Sequence, residues 1–147
     1  MAAERRAAVT WSGDLISGSG TIDEVGSGAF GPLDVSWPAR AEEASGGKTS
    51  PEELIAAAHA VCYSMAFSNA LAQAGHPPGR LEVSAVCALD RVEGGLKITT
   101  MQLSVRGAVD GIDDGQFREI AQQAEQRCPV SNALRGNVDI SVEATLG

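Results

Sequence analysis

Between Ser50 and Gly75 the chain is apolar almost without interruption, while on both sides of that run hydrophobic and polar residues tend to alternate. An apolar run of this length predicts one long helix, and alternation predicts half-buried strands. On the N-terminal side, AVTWSG and GSGTIDEV read as two strands around a Gly-rich connection. LDVSWPAR reads as a third, with Pro38 near a sheet edge or strand end. Residues 42 to 49 are polar and glycine-containing, which predicts a loop. Ser50 then supplies an N-cap, Pro51 suits the first helical position, and Glu53 is placed for a capping box. Gly75 and the Pro77-Pro78 pair end the helix. Because Leu54, Ile55, Val61, Met65, Phe67 and Leu71 leave it apolar nearly all round, it is expected to be buried on most sides.

Beyond the prolines, RLEVSAVCALD puts Leu81, Val83, Ala85, Cys87 and Leu89 on one face. Gly94-Gly95 turns the chain into LKITTMQLSVRGAV, where Thr99, Met101, Leu103 and Val105 share a face. Phe117, Ile120, Ala121 and Ala124 follow at helical spacing, Cys128-Pro129 breaks that helix, a short one runs through Leu134, and NVDISVEA is a last strand. Strands, helix, hairpin, helix, strand: this order predicts an α+β fold in which antiparallel β-sheet packs around the long central helix.

A length of 147 residues bounds the chain to a single domain spanning 1–147. A net charge of −8 with no Lys/Arg cluster disfavours both nucleic acid and anionic lipid as partners. No segment is read as a membrane span, and MAAERRAAVTW has no apolar run behind its arginines, so a cytoplasmic location is expected. Three widely spaced cysteines do not make the disulfide framework of a small secreted domain; transient thiol chemistry in a reduced compartment fits better.

Two of those cysteines have unlike settings. Cys62 lies deep in the long helix, where a thiol resists ionisation unless a cation stands beside it. Cys128 precedes a proline at a helix start, whose free N–H groups favour a thiolate. A protected and a poised thiol make a candidate redox pair. Taken singly, Cys62 is as well explained as core filling, Cys128 as a small residue at a helix break, and Cys87 as core on its strand. His59 is one turn from Cys62. With Cys62, Cys128 and Glu52 it could surround zinc, but no close CxxC pair supports this, and a packed, hydrogen-bonded histidine is the better reading. His76 is expected at the surface, and Trp11 and Trp37 as packing residues.

SPEELIAAAHAVCYSMA and RCPVSNAL resemble the two cysteine motifs of the OsmC/Ohr family, bacterial thiol peroxidases that reduce organic hydroperoxides. WSGDLISGSGTI and the basic residue of WPAR fit as well, so the similarity spans nearly the whole chain. His59 and the paired glutamates of SPEEL place it closer to the OsmC branch. Ser50 stands where asparagine is common, and AEEASGGKT is a longer connection than usual. The resemblance implies that Cys62 is the peroxidatic cysteine, Cys128 the resolving cysteine, Arg40 the arginine beside the thiolate, and Glu52 the carboxylate that holds that arginine. It also implies an intertwined homodimer with active sites at the interface.

Physical chemistry agrees on the need for a cation, because burial alone raises a thiol pKa. Glu53 is committed to the capping box, whereas Glu52 is available to hold Arg40 as the resemblance implies; taken alone, Glu52 is better read as a first-turn carboxylate interacting with the helix dipole. On one continuous helix, however, Glu52 and Cys62 are about 15 Å apart along the axis. An arginine bridges part of that gap, the helix is broken, or Glu52 serves the Cys62 of another subunit. The expected reaction is reduction of an organic hydroperoxide through a Cys62 sulfenic acid and a Cys62–Cys128 disulfide, with no metal, haem or other cofactor. The family resemblance points to dihydrolipoamide or a lipoylated protein as the dithiol reductant. Two rivals use the same residues: a thiol:disulfide oxidoreductase without peroxide chemistry, and a non-catalytic metal or ligand-binding module on His59, Cys62 and Cys128.

Overall fold

A computed structural model describes residues 1–147, which form two compact units, Met1–Pro51 and Glu52–Gly147. In the first, β1 (Ala7–Ser12), β2 (Ser19–Val25) and β3 (Leu33–Val35) make an antiparallel sheet in that order. Trp11 pairs with Gly20, which pairs in turn with Val35. A Cβ on Gly20 would lie 2.6 Å from the Trp11 ring and 2.9 Å from Val35 Cγ2, so only glycine lets the indole lie across the strand. Ile22 is the one large apolar side chain buried here.

The expected third strand is cut short. After Val35 the chain turns into a short helix, α1 (Trp37–Ala41), whose N-cap Ser36 accepts a hydrogen bond from the Ala39 N–H at 3.2 Å. Ser36 caps and Pro38 sits in the first turn, where its missing N–H costs nothing. Pro38 therefore lies in the first turn of a helix, just past the end of β3, which is an edge strand as expected of this segment. The same serine-then-proline cue was legible at Ser50-Pro51.

The second unit opens with α2 (Pro51–Gln73), one unbroken helix. It is followed by β4 (Arg80–Val92), β5 (Gly95–Ala108), α3 (Asp114–Arg127), α4 (Pro129–Leu134) and β6 (Asp139–Leu146). The β4–β5 hairpin closes through Glu93-Gly94, with Gly94 at φ +93°, where other residues are strained. Asp113 caps α3 by accepting the Gln116 N–H at 2.8 Å. The α+β class and the central helix hold, but the second sheet is not wholly antiparallel: β6 runs parallel to β5. A parallel neighbour requires a crossover, and α3 and α4 provide it.

The core of this unit joins Tyr63, Phe67 and Leu71 of α2 to Leu103 and Val105 of β5 and Phe117 of α3. Phe67 packs tilted against Phe117 with ring centroids 5.0 Å apart, and a Cβ on Gly107 would come within 2.6 Å of the Phe117 ring. His59, Tyr63, Phe67 and Leu71, at strict four-residue spacing, form the buried face of α2. The opposite face is open, with Val61 55% and Met65 67% exposed, so α2 is buried on one side and not on most sides. The helix is also, contrary to the sequence expectation, long and apolar enough by length and composition to cross a membrane. In this fold one of its faces is core.

Candidate active site

Cys62 lies on α2 between the buried positions His59 and Tyr63, and Cys128 is at once the last cap of α3 and the first of α4. The fold brings the two together across 66 residues: Cys128 Sγ–H donates to Cys62 Sγ at 3.2 Å, with both thiols free. Their settings are the reverse of those expected. Cys62 is only half-buried, while Cys128 has no exposed surface. The helix start is not aimed at Cys128 either, because the Val130 N–H donates to the Cys62 sulfur. Burial raises the Cys62 pKa above its ordinary value, the Val130 hydrogen bond opposes this, and the bond to Cys128 and its charge add to the rise.

Behind the thiols is a polar layer. His59, fully buried, meets Ser131 at 2.7 Å through Nε2, and its Nδ1 has no hydrogen-bond partner. Burial holds its pKa below the ordinary value and keeps it neutral, against a smaller opposing pull from Glu125. Tyr63 donates its hydroxyl to the Ala121 carbonyl at 2.9 Å; burial first, then the charges of Glu125 and Cys128, push its pKa up. Glu125 is buried and ion-paired to Arg135 at 2.5 Å. Arg135 also donates to the Glu125 carbonyl at 3.2 Å, and that carbonyl accepts the Cys128 N–H at 3.3 Å.

Glu52 stands in the first turn of α2 and is only 7% exposed. Since α2 is unbroken, the broken-helix explanation of its distance from Cys62 fails. Its negative charge acts on Cys87, the half-buried thiol opposite Met101, whose pKa is raised by burial first and by Glu52 second. Arg40 belongs to the other unit, exposed in the last turn of α1. No group of three or more His, Cys, Asp or Glu residues is placed to hold a metal ion, and the Nε2 of His59 is engaged with Ser131.

Ser131, Glu125, Arg135 and the Val130 N–H were not identified from the sequence. Ser131 left a trace there: it follows Cys128 by the same one-turn interval at which His59 precedes Cys62. The other three act through backbone groups or across the α3–α4 elbow, which no periodicity reports.

The fold and the facing thiols define an α+β protein built around a cysteine pair. Residues 44–143 match the family model described as OsmC-like protein. Peroxiredoxin OsmC of Escherichia coli (strain K12) is 37% identical over 143 residues, covering 97% of this chain and 98% of that protein. The organic hydroperoxide resistance protein of Xanthomonas axonopodis pv. citri (strain 306) is 33% identical over 109 residues, covering 74% of this chain and 75% of its own length. The crystal structure of the organic hydroperoxide resistance protein OhrB of Bacillus subtilis matches with a TM-score of 0.73 at 28% identity, covering 95% of this chain and 98% of that one. The chain belongs to the OsmC family.

Proposed function

We propose that this chain is a thiol-dependent peroxidase that reduces organic hydroperoxides to alcohols, in keeping with its peroxiredoxin and organic hydroperoxide resistance relatives. The observation that carries the mechanism is the 3.2 Å approach of two free thiols drawn from distant parts of the chain. A disulfide needs about 2.05 Å, so sulfurs already in contact close with a small movement. Access separates their roles. Peroxide reaches half-buried Cys62 before fully buried Cys128.

The Cys62 thiolate attacks the distal peroxide oxygen, the O–O bond breaks, and the alkoxide leaves as alcohol after taking a proton. Cys62 is then a sulfenic acid. Attack by Cys128 forms the S–S bond and releases water, and an external dithiol, dihydrolipoamide or a lipoylated protein, takes the disulfide by exchange. The thiolate is stabilised by the Val130 N–H and, by family resemblance, by Arg40 held by Glu52. The single domain of residues 1–147, the cytoplasmic location and the homodimer are part of the same reading. The dimer is supported by the open apolar face of α2 around Val61 and Met65, too large to leave in water on a small chain.

A stopped-flow comparison of cumene hydroperoxide with hydrogen peroxide on the reduced protein tests reaction class and substrate class together. Rapid loss of the alkyl hydroperoxide is expected. A protein that exchanges disulfides but leaves hydroperoxide untouched is instead a thiol:disulfide oxidoreductase using the same pair. For the dimer, mixing Cys62→Ser and Glu52→Ala chains restores activity if Glu52 acts across subunits, and a monomer at micromolar concentration by sedimentation removes that possibility.

A further inference from the structure

Helix α4 has six residues, too few to be stable by itself, so its position is set by what grips it. Two contacts do so. At its middle, Ser131 Oγ meets His59 Nε2 at 2.7 Å, both residues fully buried. At its end, Arg135 reaches back to α3, to the Glu125 carboxylate at 2.5 Å and the Glu125 carbonyl at 3.2 Å. The Cys128 N–H shares that carbonyl. The His59–Ser131 bond and the Cys62–Cys128 contact therefore lie one helical turn apart and tie the same two helices together.

Packing alone does not explain the choice of residues. A buried histidine with an unpartnered Nδ1 bears a desolvation cost that an apolar side chain of similar size would avoid, and replacing both partners of a buried hydrogen bond by apolar groups is often nearly neutral. What a directional bond adds is position. We propose that Ser131 with His59, and Arg135 with Glu125, are positioning residues that hold Cys128 at closing distance from Cys62 and so set the rate at which a Cys62 sulfenic acid becomes a disulfide. This rests on the peroxidase reading above. In that step the electron pair of the Cys128 sulfur forms the S–S bond, the S–O bond breaks, and the departing oxygen leaves as water with the Cys128 proton. His59 neither gains nor loses a proton. A sulfenic acid that waits is open to a second hydroperoxide, which carries it to sulfinic acid.

The test uses full-length reduced protein and cumene hydroperoxide. In Ser131→Ala, consumption of the first equivalent should slow far less than closure, because the first attack needs only the Cys62 sulfur and loses at most the support of the Val130 N–H. Closure to the disulfide should slow on the order of tenfold or more, as small misplacements of reacting groups do. The sulfinic fraction, read by mass, should rise with hydroperoxide concentration. Ser131→Thr, which keeps the hydroxyl, should restore closure, a rescue that a merely structural defect would not follow. Arg135→Lys keeps the charge but not the fork, and should slow closure less. Closure at the wild-type rate in folded Ser131→Ala, or in Arg135→Lys should Ser131→Ala fail to fold, overturns the proposal alone. A wild-type protein that never forms the Cys62–Cys128 disulfide overturns the underlying peroxidase mechanism instead.

Discussion

The turn of α2 around Cys62 and the α3–α4 elbow around Cys128 meet sulfur to sulfur, yet they are built for different tasks. The α2 turn is half-open, and its sulfur receives the Val130 N–H as well as the Cys128 thiol. The elbow is closed: Cys128 has no exposed surface, its N–H is spent on the Glu125 carbonyl, and an ion pair closes over the junction. Helix-start logic alone would make Cys128 the reactive thiol. The Val130 N–H of that start instead supports the neighbouring Cys62 sulfur, which is also the more accessible of the two. A helix start activates what it points at, which need not be the residue that opens it.

Removing either sulfur breaks the comparison most severely. Cys62→Ser should abolish hydroperoxide consumption. Cys128→Ser should still consume about one equivalent per site, since the first attack needs only Cys62, and then stall as sulfenic acid or climb to sulfinic acid. Full turnover by Cys62→Ser would reverse the roles assigned to the two regions. Mass analysis of each variant after graded additions of cumene hydroperoxide reads both outcomes.

The next effect tests the cation proposed beside the α2 turn. Burial already lifts the Cys62 pKa, so loss of a cation should lift it further. Arg40→Ala should move the alkylation profile of Cys62 to higher pH and slow peroxide reduction severely, with Glu52→Ala acting in the same direction less strongly. An unchanged profile in Arg40→Ala would leave the Val130 N–H as the principal support of the thiolate.

A smaller effect should come from the layer between the regions. His59 is held below its ordinary pKa of 6.5 by burial, with the Glu125 charge opposing. Between the folded and unfolded values the unfolded chain binds more protons, so stability rises with pH there. The contribution of neutral His59 is complete above pH 6.5 and is lost as pH falls through the folded value. Urea unfolding at pH 7.5 and at successively lower pH should show a loss that is absent in His59→Gln. An NMR titration placing His59 above 6.5 would reverse the sign.

Most of this was legible before the structure, for reasons that also explain the misses. Alternation located β4 and β5, and helical spacing located Phe117, Ile120, Ala121 and Ala124 on the buried face of α3. The cysteine motifs carried the family, hence the pairing of Cys62 with Cys128. Strand direction was not legible, because NVDISVEA reads alike parallel or antiparallel, and only the crossover through α3 and α4 fixes it. LDVSWPAR failed because three residues of strand and a capped helical turn fit within one alternating stretch. The exposure of the thiols was invisible because α2 is apolar on a face that this chain does not cover.

Cys87 gives the smallest effect and the finest discrimination. It lies in β4 across from Met101, half-buried, and its thiol is kept protonated by burial and then by the negative charge of Glu52. It has no place in the proposed reaction. Cys87→Ser should retain full turnover and lose about 1 kcal/mol or less of stability, the low end for a hydroxyl in a partly apolar site. Peptide mapping after one equivalent of hydroperoxide should find Cys87 free. The sharper measurement is its alkylation profile in Glu52→Ala. Removing that carboxylate relieves a repulsion on the Cys87 thiolate, so the Cys87 pKa should fall, while in the same variant the Cys62 pKa should rise as Arg40 loses its anchor. Opposite shifts of two thiols from one substitution separate a local charge effect from general loosening, which would move both half-buried thiols the same way. A dominant disulfide to Cys87, or parallel shifts at both sites, would undo the division of roles among the three cysteines.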